Sequence, residues 1–316
     1  MVQARTFEQL VSVSKETTYG TGVAPTVTWP VTSAGGSLQM TETFDQGRRA
    51  VGSRDFDAVP DGQHGEFQVE GFAYPVFMGY LLLAMFGSEA VTGASDPYTH
   101  TFSMATTPPS LTLEENVLAG GANNGIRYVG YRPSTLNFSF DAEKGALTYS
   151  CQGLSLAPSK VTTALTAPTA ELRPWSGWSA AITSTNLTSR VASGEINIGR
   201  ELQVVHTATA TQTPRWVNNG PLYAEGQLLV AVEDLSDFDA VLADTRQSLA
   251  ISFTQTGSPA RSITFTMSNV VLNAAPLDWD RGGVSTFVRY HWRALHNTTD
   301  AGPLTVALDN NRATTY

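Results

Sequence analysis

A chain of 316 residues has room for about two domains of ordinary size, each able to bury a core of its own. Charged residues make up 15% of it, against a usual share of about 25%, a deficit that suits a surface covered by other subunits and would also suit a secreted β-sandwich. The net charge of −9 argues against a nucleic-acid binder, which needs clustered Lys and Arg to neutralise phosphates.

Cys151 is the only cysteine, so no intramolecular disulfide forms and nothing requires an oxidising compartment. Residues 1–20 lack a basic start followed by an apolar run, which predicts no secretory signal. The longest apolar run, residues 74–86, contains Pro75 and Gly79 and falls short of the ~20 residues needed to span a bilayer. The expectation is a soluble protein not exported by that route.

In chain order, period-two alternation predicts half-buried antiparallel strands at residues 37–41, 66–70, 110–114 and 135–140. The same pattern returns at 195–198, 249–253, 262–267 and 286–292, with turn signals at 141–145 and 280–283. Two segments read as helices. Residues 74–86 have Pro75 in the first turn and Gly87 at the end. Residues 234–246 place Leu235, Phe238, Val241 and Leu242 on one face, with Asp234 or Ser236 as cap.

These elements recur in the same order. A shift of 158 lays Leu38 and Met40 on Ile196 and Ile198; a shift of 161 lays Gly65, Phe67, Val69, Phe77 and Leu81 on Gly226, Leu228, Val230, Phe238 and Leu242. A shift of 138 then lays Leu111, Leu113, Gly145 and Tyr149 on Leu249, Ile251, Gly283 and Phe287, so the first copy carries about 23 extra residues near 88–107. Identities are few, and loose similarity between two β domains is the alternative. The pentapeptide Asp-Phe-Asp-Ala-Val at 55–59 and 237–241 reads as chance, the first in a loop and the second in a helix. The pattern predicts an all-β dominated fold, with a first domain at 1–156, a Thr/Ala/Pro-rich linker at 157–171 and a second domain at 172–316.

The sequence asks for no catalysis, cofactor or metal. His64, His100, His206, His291 and His296 are not spaced as ligands. Asp55, Asp57 and Asp61, or Asp234, Asp237 and Asp239, mimic a calcium loop in spacing but lack its central Gly and closing Glu. No nucleophile elbow, P-loop or dinucleotide turn occurs; the Gly-rich stretch at 120–125 reads as a mobile turn between strands. The Asn-x-Ser/Thr triplets at Asn137, Asn186 and Asn297 are expected by chance in so Thr-rich a chain. A carbohydrate-binding sandwich could use Trp175, Trp178, Trp216 and Trp292 as stacking faces, although Trp292 alternates with Tyr290 and Val288 as a buried strand residue would.

Three features together resemble the tail tube proteins of long, non-contractile-tailed bacteriophages. One is the opening Lys15-Glu16-Thr17-Thr18-Tyr19-Gly20-Thr21, followed by Val23-Ala24-Pro25. Another is the strand within residues 65–87 that leads into an apolar segment ending Leu-Leu-Leu-Ala-Met-Phe-Gly; the third is the strand, loop, strand, helix, hairpin order of both halves. The resemblance implies a β-sandwich or partly open barrel with one flanking helix per domain, edge strands that pair to close a ring, and rings that stack through a long loop. The stacking loops would be residues 43–62, with Arg48, Arg49, Arg54, Asp55 and Asp57, and residues 204–220, with Thr207, Thr209, Thr211 and Thr213. If family rings hold six domains, three chains of this type make one ring with pseudo-sixfold symmetry; a ring of six chains is the alternative. An acidic lumen would let DNA pass without sticking. The implied location is the virion tail, after synthesis in the host cytoplasm, with other tail proteins as partners; another structural virion protein, of capsid or baseplate, is the runner-up.

Overall fold

The computed structural model describes residues 9–116, 125–168, 175, 177–182, 185–186, 189–208, 212–232, 246–255, 260–274, 277–279 and 286–316. The first part of the chain forms β1 (Leu10–Lys15), β2 (Val27–Trp29), β3 (Ser33–Asp45), β4 (Asp57–Phe72), α1 (Met78–Phe86), β5 (Gly87–Thr92), β6 (Tyr98–Met104), β7 (Leu111–Asn116), β8 (Gly125–Asp141), β9 (Thr148–Ser155) and β10 (Ser159–Val161). The rest forms β11 (Gly177–Ile182), β12 (Thr185–Asn186), β13 (Val191–Val205), β14 (Trp216–Ala231), β15 (Gln247–Gln255), β16 (Arg261–Ala274), β17 (Leu277–Trp279), β18 (Thr286–Ala294) and β19 (Thr305–Asn310). The fold is all-β with one helix among the described residues, and all eight alternating segments of the sequence lie in strands but for Ser110, which precedes β7.

One long antiparallel sheet runs β3-β4-β9-β8-β13-β14-β18-β17. A second layer, β12-β11-β15-β16-β19-β6-β5, covers one face of it. The layers meet through aromatic rings: Phe138 packs on Phe265 with centroids 5.0 Å apart, and Phe140 on Phe253 at 5.1 Å. A smaller sheet, β2-β1-β7-β8-β10, uses the N-terminal half of β8.

The strand pairings of one half recur in the other. The pairs β1–β2, β1–β7, β7–β8, β8–β9, β4–β9 and β3–β4 have matching pairs in β11–β12, β11–β15, β15–β16, β16–β18, β14–β18 and β13–β14. Register agrees as well: Leu38 sits opposite Gly65, and Ile196 opposite Gly226. The surplus near 88–107 is the β5–β6 hairpin, whose β6 pairs with β19 and ties the first part of the chain to the last.

Several expectations need correction. The helix begins at Met78 rather than Tyr74, because the Tyr74 carbonyl accepts from the amides of Phe77 and Met78 and forms a turn first. All nine helical residues are buried, as an apolar run without a polar face requires, and Gly87 ends the helix in a left-handed conformation (φ 97°) with its amide on the Leu83 carbonyl. Asp57 to Val59 lie in β4 opposite Thr43 to Asp45, not in a loop. Part of the linker is packed: β10 pairs with β8, and Leu165 is 2% exposed. The expected helix at 234–246, but for Arg246, the turn at 280–283 and residues 120–124 of the Gly-rich stretch lie outside the described residues.

Candidate assembly surfaces

The N-terminal stretch that carries the resemblance folds into a clasp. Glu16 is buried, and its carboxylate accepts from the hydroxyls of Ser110 (2.6 Å) and Thr112 (2.8 Å) and from the amides of Gly20 (2.8 Å) and Gly130 (2.7 Å). Four donors replace the hydration lost on burial. Gly20 has φ +71°, and a Cβ there would lie 2.9 Å from Leu156, so this turn needs glycine. The Tyr19 hydroxyl accepts from the Val217 amide (2.7 Å) of β14, which links the clasp to the second half. Burial raises the Tyr19 pKa above its ordinary value.

Arg200 makes a second link between the halves. It is 4% exposed on β13 and donates to the carbonyls of Met85 (2.7 Å), Phe86 (3.4 Å), Ala105 (2.9 Å) and Gly220 (3.0 Å). A cation on the last carbonyls of α1 satisfies groups that the helix leaves unpaired and complements its dipole.

Among the described residues nothing covers the other face of the long sheet. Glu66, Gln68, Gln152, Ser139, Glu195 and Gln227 alternate there with core residues such as Val69, Cys151, Phe138 and Ile196. Amides link the rows: Gln152 donates to Gln68 (3.2 Å), Gln68 to Glu70 (2.6 Å) and Gln227 to Glu195 (3.0 Å). Arg293 lies 3.9 Å from Glu225.

The segments expected to stack are two hairpin arms. Residues 43–62 are the ends of β3 and β4 with a tip at 46–56, and residues 204–220 hold the end of β13 at Val205 and the start of β14 at Trp216, with 209–211 between them outside the described residues. Asp55 accepts from Gln46 (2.8 Å), Arg49 pairs with Asp45 and covers the Phe56 ring at 4.6 Å, and Arg54 reaches Asp55 at 3.9 Å; Arg48 is exposed. Asp57 caps its own strand by accepting from the Ala58 amide (2.9 Å). Thr207 is exposed and Thr213 half-buried, whereas Thr209 and Thr211 lie outside the described residues. The arms touch where the Gln63 amide donates to the Gln212 carbonyl (3.0 Å) and Gly62 faces the His206 ring.

Sequence reasoning expected edge strands without saying which they are. Among the described residues β3 pairs only with β4, and its Leu38 and Met40 are 47% and 49% exposed, while Ile196 and Ile198 on β13 are fully buried. Of the four tryptophans considered as stacking faces, Trp175 and Trp292 are buried, Trp216 is 40% exposed with the Arg215 guanidinium 4.4 Å over its ring, and the Trp178 side chain lies outside what is described. Among the described residues no group of three or more His, Cys, Asp or Glu could hold a metal.

Among the described residues the fold presents a polar sheet face, an edge strand with one partner and two hairpin arms. The family comparison gives it a class: residues 6–308 match the family model described as phage tail tube protein, and the chain belongs to that family. No curated protein matches the chain. It is accordingly a structural component of the bacteriophage tail, not an enzyme, and associates with itself and with other tail proteins.

Proposed function

We propose that this chain closes into rings of three copies, each contributing two tandem domains, and that the rings stack into a tube through which DNA passes. The carrying observation is the repeated set of strand pairings, which supports duplicated units at 1–156 and 172–316 joined by a connector at 157–171 and hence pseudo-sixfold rings. The chain is read as made in the host cytoplasm before it joins the virion tail. Rings stack through the two arms, with Arg48, Arg49, Arg54, Asp55 and Asp57 on one and Thr207, Thr209, Thr211 and Thr213 on the other.

The polar face of the long sheet lines the lumen. When a two-layer sheet curls into a tube, the layer with more material lies outside, where the circumference is larger, and here the second layer and α1 lie on the opposite face. Glu66, Glu70, Glu195 and Glu225 then face the passage and repel phosphates, while neutral amides between them give DNA little to hold.

Mass measurement of isolated rings tests the stoichiometry: three chains are expected, and six would overturn the duplicated-ring reading. For the lumen, Glu66→Lys with Glu195→Lys should leave tube formation intact and slow DNA ejection, most of all at low salt. Ejection at an unchanged rate would remove these residues from the channel.

A further inference from the structure

The two ends of the long sheet are complementary, and the molecule carries within itself the pattern for joining them. Its strands fall into quartets, β3-β4-β9-β8 and β13-β14-β18-β17, and the quartets meet where β8 pairs with β13. At that seam Leu136, Asn137 and Phe138 stand opposite Ile198, Asn197 and Ile196. Ladder registers fix the matching positions at the free ends. Val69 pairs with Cys151, which pairs with Leu136; Val230, the match of Val69, pairs with Val288, which pairs with Leu277. Leu136-Asn137-Phe138 therefore corresponds to Leu277-Asp278-Trp279 on β17 (β9 to β18 runs at an offset of 137 by this route, one below the sequence estimate). Ile196-Asn197-Ile198 corresponds to Leu38-Gln39-Met40 on β3.

Both free strands thus repeat the apolar-polar-apolar order of the internal seam. Among the described residues β17 has β18 as its one strand partner and β3 has β4; Gln9 and Glu115 bond the outer edge of β3 at Ala34 and Gly36, and beyond them, from Ser37 on, that edge has no strand beside it. An unpaired edge carrying half-exposed Leu38 and Met40 is a template for another strand. We propose that β3 of one chain pairs antiparallel with β17 of a second copy of this chain in the register of the internal seam: Leu38 opposite Trp279, Gln39 opposite Asp278, Met40 opposite Leu277. The proposal rests on the ring reading above and adds the strands, polarity and register of its joint. The central polar pair would fix register, since a slip of one residue places Gln39 or Asp278 against an apolar side chain.

The test is disulfide trapping in the full chain, with buried Cys151 retained. Directly opposed strand residues have Cα atoms about 4.5–5.5 Å apart, within disulfide range. Oxidised tubes of Gln39→Cys/Asp278→Cys should give covalent multimers on a non-reducing gel. Ser37→Cys/Asp278→Cys, two residues out of register, should give at least about tenfold less. Asn137→Cys/Asn197→Cys should form an intrachain disulfide and calibrates the geometry. Tubes of normal appearance in which the Gln39/Asp278 pair crosslinks no better than the offset pair would overturn the seam and leave the ring reading standing. Failure of the unaltered chain to form rings at all would overturn both. Hydrogen exchange on the unaltered protein covers the case of misfolded variants: the outward amides of Leu38 and Met40 should slow on the order of 100-fold on assembly, while those of residues 194–199 are protected already in the single chain. Equal exchange of Leu38 and Met40 before and after assembly would also overturn the seam.

Discussion

Arg200 shows how one side chain can hold two halves of a chain in register. Its guanidinium ends the helix of the first half from a strand of the second, and the Met85, Phe86 and Ala105 carbonyls have lost their water. Arg200→Met keeps the apolar stem and removes all four bonds, so it should lower the unfolding free energy by about 2–4 kcal/mol, read from the denaturant midpoint. Arg200→Lys should recover only part of the loss, because an ammonium cannot reach divergent carbonyls as a planar fork does. Equal stability of the Met variant and the parent would show that the contact adds nothing net. Sequence alone could not find this residue. Arg200 follows a strand pattern as an ordinary charged residue, and three of its four partners lie 95 to 115 positions away along the chain.

At the scale of elements, the strands were legible because alternation is a local property, and each of the eight alternating segments falls on a strand, Ser110 alone lying outside. Partners were less so. The β6–β19 and β8–β13 ladders join distant segments, and no local pattern encodes such pairing. Leu38 and Met40 misled in a more useful way: their alternation reads as a face for the core, yet they are about half exposed, and under the proposed seam the same alternation would serve a neighbouring copy. The arms read as loops because Asp57 and Asp61 are poor strand formers, yet the β3–β4 ladder runs from Ser33 to Asp45. On an exposed arm those charges keep the edges from pairing indiscriminately. The arm also permits a clean experiment. Replacing residues 46–56 with a two-residue Asn-Gly turn removes Arg48, Arg49, Arg54 and Asp55 but no core residue. Single-chain stability should change by less than about 1 kcal/mol, while sedimentation should show rings that no longer elongate. Full-length tubes from this variant would exclude the first arm from stacking.

For the whole molecule, the buried protonated groups of the first half make stability fall on the alkaline side. Burial pushes the Cys151 thiol up to about 12 from its ordinary 9.0 and the Tyr128 phenol to about 12 from 10.0. Burial likewise holds Tyr131 and Tyr149, packed around the same thiol, well above 10.0. Each folded value lies above the unfolded one, so the unfolded chain releases protons first. The stability these groups contribute is complete below about pH 9 and is lost as pH rises through 9 to 12. Each group that is ionised only in the unfolded chain steepens the fall by about 1.4 kcal/mol per pH unit. Unfolding free energies of the single chain at pH 8, 9, 10 and 11 should therefore stay level and then drop with a slope that grows. Cys151→Ala should start lower, through a cavity, and fall less steeply between pH 9 and 10. A parent profile flat to pH 11 would mean that these groups exchange protons with solvent in the folded state. Assembly adds a second effect by mass action. A neighbour that binds only the folded chain raises the apparent stability at every pH, so tubes should keep their form at pH values where dilute single chains unfold, and the gap between the two should widen with protein concentration.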